Sequence, residues 1–212
     1  SNPAVGIQIS NVKNRGGWRG MSFDVTLTNR NVGHNFPAGF AFARQSWLEI
    51  VVTDSSGRVT FESGVLDNPA EDDLCDQHTM GGALKRHVQG CSKADSNLIN
   101  LQFILTDDEG KETPLQHATG TVKQDRIKDL MDSGQCSGDY PMALGKSMTC
   151  TINTGLSSSK AANVQVKLNH RNLPPYFLRA MDAKRAPNET IRLIDYIPNL
   201  EVITISEDQS RL

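Results

Sequence analysis

Residues 47–62 read WLEIVVTDSSGRVTFE: two strand-like runs, Trp47 to Thr53 and Val59 to Glu62, flank the turn formers Asp54-Ser55-Ser56-Gly57. Apolar and β-branched runs on either side of an Asp/Ser/Gly cluster define a β-hairpin. Working outward, Met21 to Leu27 alternates cleanly, with Met21, Phe23, Val25 and Leu27 against Ser22, Asp24, Thr26 and Thr28. A period of two means a strand with one buried face. Between these strands lies a turn-rich loop that carries His34, Pro37, the glycines Gly33 and Gly39, and Arg44 just ahead of Trp47.

The rest of the chain repeats the theme. Val5 to Val12 is a short strand, connected to the next through Gly16-Gly17; Leu98 to Leu105 alternates and ends in the turn Asp107-Asp108-Glu109-Gly110. Residues Thr119 to Leu130 pair a strand-like start with a charged segment able to form one or two helical turns. Met148 to Ile152, Asn163 to Leu168 and Leu200 to Ile205 are further strands. One helix start stands out at Pro174-Pro175, where proline suits the first turn; the run from Tyr176 through Ala183 leads to Lys184-Arg185. Seven or more short strands with few helices predict an all-β fold, an antiparallel Ig-like β-sandwich with long loop insertions and a short C-terminal helix. The expectation is a single sandwich domain over residues 1–212. Residues 65–97, rich in Asp, Gly and Asn, form its long insertion, with a short helix expected around Ala83 to Val88.

Composition narrows the function classes. With 37% hydrophobic and 22% charged residues and a formal charge of −2 over 212 residues, the chain carries no global field for nucleic acid or an anionic membrane. No apolar run approaches the roughly 20 residues that cross a bilayer as a helix. No nucleophile elbow, HExxH motif or phosphate-binding glycine loop is present, so no catalytic residues are assigned and the reading is non-enzymatic. The histidines His34, His78, His87, His117 and His170 are scattered, and Trp18 and Trp47 read as packing aromatics.

The four cysteines form two local couples. Pairing Cys75 with Cys91 and Cys136 with Cys150 closes loops of about 15 residues, each stabilising by roughly 3 kcal/mol in the chain-entropy account. Such bonds belong to an oxidising, extracytoplasmic compartment. A competing arrangement uses Cys75, His78, His87 and Cys91 as ligands of a structural or catalytic metal such as zinc, in a metal-binding protein or metal-dependent enzyme. Asp67, Glu71, Asp72 and Asp73 lack the spacing of a calcium loop and read as a solvated acidic stretch.

The loop Gly33-His34-Asn35-Phe36-Pro37-Ala38-Gly39, then Arg44, Trp47-Leu48, Asp54, Gly57 and Phe61-Glu62-Ser63-Gly64, resembles the haem-free C-terminal β-domain of multihaem c-type cytochromes related to the cytochrome c-554 group. Asp125-Arg126-Ile127 and the run Leu168 to Leu178, with Arg171 ahead of Pro174-Pro175, match the same family in order and spacing. The chain lacks Cys-x-x-Cys-His, so no haem-attachment residue carries over and no cofactor is expected within it. The resemblance implies an extracytoplasmic, periplasmic or cell-surface, module of an electron-transfer system, with haem c on a linked or partner domain. Within that picture His34 and Arg44 have two readings: they lock their own loop, or they contact a haem edge or redox partner. An adhesion or carbohydrate-binding sandwich is a further alternative, because sandwiches host many functions.

Overall fold

The computed structural model describes residues 3–14, 20–39, 42–106, 122–125, 127–154 and 161–211. In chain order the strands are β1 (Val5–Asn14), β2 (Met21–Asn29), β3 (Gln45–Asp54), β4 (Val59–Ser63), β5 (Phe103–Thr106), β6 (Val122–Asp125), β7 (Cys136–Gly138), β8 (Ser147–Asn153), β9 (Ala161–Arg171) and β10 (Ile203–Arg211). The helices are α1 (Gln77–Gly81), α2 (Lys128–Asp132) and α3 (Pro175–Asp182), with 3-10 turns at Lys85–His87 and Leu193–Asn199. The Gly16-Gly17 connection, Trp18, the turn at 107–110, His117 and Arg126 lie outside the described residues.

Two antiparallel four-stranded sheets, in orders β1-β2-β8-β7 and β10-β9-β3-β4, make the expected sandwich, while β5 and β6 form a separate two-stranded ribbon. The alternating residues do what their period dictates: Phe23, Val25 and Leu27 of β2 and Met148, Cys150 and Ile152 of β8 share one core with Leu48, Ile50 and Val52 of β3 and Val164, Val166 and Leu168 of β9. Each fully buried aliphatic or aromatic side chain contributes about 1.5–3 kcal/mol. The sheets also meet along one side, where the Ile9 N–H of β1 donates to Asp208 Oδ2 of β10 at 2.7 Å. A register shift between Ser10 and Lys13, with Asn11 at φ 49°, bends β1 at that seam.

Several boundaries differ from the sequence reading. Only Phe103–Thr106 of the 98–105 run is a strand; residues 98–102 run alongside β3 through a bridge between Trp47 and Asn100. The last strand begins at Ile203, because Leu200 closes the 3-10 turn that contains Pro198. Its second half, EDQSR, is polar because β10 is an edge strand, and its pairing with β9 rather than its composition makes it β. Helix α3 ends at Asp182, before Lys184-Arg185. The 65–97 insertion holds α1 and a 3-10 turn in place of the helix expected at 83–88.

That insertion covers the outer face of the second sheet. Trp47, on the face of β3 opposite the main core, is fully buried in a cluster with Leu74 and Leu98. Its indole N–H donates to Gly64 O at 2.9 Å. Gly64 takes φ +69°, and a Cβ there would lie 2.2 Å from Leu48 O, so only glycine lets the chain turn off β4 this closely.

Candidate functional site

The loop between β2 and β3 is organised by a residue the sequence reading passed over. Asn29 is fully buried at the end of β2. Its Nδ2 donates to His34 O at 2.9 Å and Met142 O at 3.0 Å, and its Oδ1 accepts from Val32 N at 2.9 Å. One amide thus satisfies three backbone groups of a non-repetitive segment. Gly33 and Gly39 are exposed, Pro37 is buried, and Gly39 has φ +67°. The His34 ring lies 2.8 Å from the neighbouring Asn35 O, and the residue is exposed. Arg44 is exposed as well, close enough to His170 to disfavour its protonation. Asn29 therefore ties the start of the loop to the end of β2, because a short amide can be buried with all its partners supplied.

His170 and Ser46 are cross-strand partners, with Ser46 Oγ 2.8 Å from His170 Nδ1. The imidazole pKa is held down first by burial. A serine beside a histidine is the beginning of a nucleophile–base pair. Here the serine side chain is buried by the sheet, and the contact is that of a packed strand pair.

The 65–97 insertion is fastened at its base by a Cys75–Cys91 disulfide, and the second disulfide, Cys136–Cys150, joins the directly opposed residues of β7 and β8. The backbone brings the first pair together: Asp73 N donates to Gln89 O, Gln89 N donates back to Asp73 Oδ2, and Asp95 N donates to Cys75 O. Bonded to one another, Cys75 and Cys91 offer no thiolates, which removes two members of the four-ligand metal set. The other two stand apart in role. His78 N caps onto Asp76 Oδ1 and its Nε2 lies 3.6 Å from Asp129, while His87 Nε2 accepts from Arg86 Nε at 3.1 Å. Among the described residues, no group of three or more His, Cys, Asp or Glu side chains gathers in a metal-binding arrangement.

Beneath the insertion lies a buried charge cluster. Arg171, last residue of β9, is 1% exposed and opposes Gln45 across the sheet. Its Nε donates to Gln45 Oε1 at 2.6 Å, its Nη1 to Asp72 O at 2.8 Å, and its guanidinium stands 5.6 Å from the Trp47 ring. Gln45 passes the network to Gln102, which donates to Phe42 O and the Tyr176 hydroxyl. Burial lowers the Arg171 pKa to about 10, which leaves it charged at neutral pH.

The counter-charge is Asp73, whose side chain is fully buried and lies 4.0 Å from Arg171 Nη2 and 2.6 Å from Arg179 Nη1. Asp73 Oδ1 accepts Tyr176 N at 2.7 Å, so an acid from the insertion caps the first turn of α3, where Pro174 and Pro175 set the helix start. Arg179 also donates to His87 O at 3.1 Å and Glu71 O at 2.6 Å. Asp73 sits in the sequence beside Asp72 and near Glu71, and nothing in that acidic run distinguishes the inward residue from the solvated ones. This network holds the insertion onto β9 and α3.

Neither a family model nor a curated protein matches the chain. Among solved structures, the fold is similar to a penta-heme cytochrome c552 from Thermochromatium tepidum, with a TM-score of 0.51 and 16% identity over 97% of this chain and 39% of that one. The chain thus spans well under half the length of that protein. At this identity the likeness is one of fold alone. Two disulfides are consistent with an extracytoplasmic location. No helix among the described residues is long and apolar enough to cross a membrane.

Proposed function

We propose that this chain is a non-catalytic β-sandwich module of, or associated with, an extracytoplasmic multihaem cytochrome electron-transfer system. In this reading it carries no haem itself; haem c sits on a linked or partner domain, against which the module packs or to which it docks a redox partner. The observation that carries the reading is the fold correspondence over 97% of the chain with part of a penta-heme cytochrome. Two disulfides support it, because such bonds persist in the oxidising compartment that this reading requires.

The test is the haem content of the protein isolated under its own promoter from its native host. The expected result is a c-type haem signal on the same polypeptide outside residues 1–212 or on a stoichiometric partner, with residues 1–212 alone colourless. A native preparation without any haem protein, or intrinsic turnover by the isolated chain, would overturn the reading.

A further inference from the structure

The loop between β2 and β3 holds the backbone around His34 from both sides. The His34 carbonyl accepts from Asn29 Nδ2 at 2.9 Å, and two residues further on Phe36 exchanges both backbone hydrogen bonds with Met142, each at 2.8 Å. Asn29 and Met142 are fully buried, so the loop is pinned from within the sandwich while the His34 residue itself stands in solvent.

The ring is oriented as well. Asn35 O is a carbonyl and can only accept, so Nδ1, 2.8 Å away, carries the proton, and the neutral imidazole keeps its lone pair on Nε2. Nε2 makes no hydrogen bond among the described residues. An Nδ1–H given to a backbone carbonyl is the arrangement that aims a histidine to ligate a metal through Nε2. The other described histidines differ: His78 Nε2 faces Asp129 at 3.6 Å, His87 Nε2 accepts from Arg86, and His170 is engaged by Ser46 and Asn172.

One imidazole holds a free ion weakly, and among the described residues no group of three or more His, Cys, Asp or Glu side chains gathers to complete a metal site. A lone ligand suits a metal whose other positions are already filled, and haem iron with one open axial position is such a metal. Access is open beside the ring, where a Cβ added at Gly33 would meet nothing within 4 Å.

We propose that His34, through Nε2, is an axial ligand to the iron of a haem carried outside residues 1–212, on a linked or partner domain. It rests on the module reading for the source of that haem. The bond that forms is a dative Fe–N bond, and the bond that breaks is iron to the water in the open position. No electron is transferred and no proton is released, because the Nε2 lone pair is already free.

The experiment titrates ferric N-acetyl microperoxidase, a short haem c peptide with one histidine ligand and an open axial position, with the untagged folded chain. Wild type should convert the iron from high spin to low spin, read in the Soret band and by electron paramagnetic resonance. His34→Ala should leave it high-spin; the residue is exposed, so the variant keeps the fold, which circular dichroism checks. His78→Ala and His87→Ala should behave as wild type. The free peptide of residues 33–39 should bind at least about tenfold more weakly than the folded chain, because nothing holds its backbone and ring in place.

A wild type that leaves the iron high-spin would overturn the proposal. So would a His34→Ala variant as effective as wild type, or a free peptide that binds as tightly as the folded chain. In the native preparation, a His34→Ala variant with an unchanged haem spectrum sinks the ligand and leaves the module reading intact. Absence of any haem protein there sinks the module reading, whatever the microperoxidase titration gives.

Discussion

Replacing Asp73 by asparagine preserves the side chain's size but removes the charge that faces Arg179 at 2.6 Å and Arg171 at 4.0 Å. It also turns one acceptor into an amide donor, against a carboxylate that now accepts from Tyr176 N, Gln89 N and Arg179. Both carboxylate oxygens face donors, so whichever way the amide is turned its NH2 points at another donor. Removing one partner of a buried ion cluster costs about 3–5 kcal/mol, because the other partner stays buried without its counter-charge. Asp73→Asn should therefore lose about that much in urea denaturation, whereas Asp72→Asn, one residue away and partly exposed, should lose about 1 kcal/mol or less. Similar losses for both would show that Asp73 is not the residue that holds the cluster.

Two structural elements illustrate what local sequence can and cannot specify. The β3–β4 hairpin is legible because its chemistry is local: Asp54 Oδ1 accepts from Ser56 N, Ser56 Oγ and Arg58 N within five residues. The Ser56 hydroxyl first, and then the Arg58 and Ser56 amides, lower the Asp54 pKa to about 2 from its ordinary 3.8. A folded-state pKa below the unfolded one gives stability that is present above pH 3.8 and lost as pH falls toward about 2. Wild type should thus exceed Asp54→Asn in stability near neutral pH, and urea midpoints should converge as pH is lowered across that window. A gap that does not change with pH would remove the carboxylate from the turn's energetics. The insertion is the opposite case, because Asp73, Arg171 and Arg179 meet across about a hundred residues. Its acidic stretch carries no periodicity, and only its cysteines announce that its ends are close. Replacing Cys75 and Cys91 together by alanine should cost roughly 3 kcal/mol if the insertion unfolds with the sandwich. Faster amide exchange confined to 73–97, with the midpoint unchanged, would mean that the insertion opens independently of the sandwich and that the charge cluster alone does not keep it docked.

At the scale of the molecule, the sandwich follows from alternation that any one strand displays, but its closure does not. The pattern of β2, β3, β8 and β9 states that two apolar faces must meet, and so fixes the core that the structure shows. Which edges remain open depends on pairings such as that of polar β10 with β9, and on contacts between sheets that no periodicity encodes. The β1–β10 seam is one of these: Ile9 N belongs to an outer strand and finds its acceptor in Asp208, 199 residues away. Without that carboxylate the Ile9 N–H would lose its acceptor beside a bulged segment, and the seam would lose a hydrogen bond that joins the two sheets. Asp208→Ala should then destabilise the protein by only about 1 kcal/mol, the ordinary net value of a hydrogen bond with one partner removed at a partly exposed position. The sharper signature is local: amide exchange at Ile9 should quicken, while Val25 and Ile50 at the centres of β2 and β3 keep their protection. If Ile9 exchange is unchanged, the seam is closed by side-chain packing and Asp208 plays no part in joining the sheets. If Val25 and Ile50 lose protection together with Ile9, the seam is a keystone of global stability, and closure of the sandwich belongs to the same cooperative unit as its core.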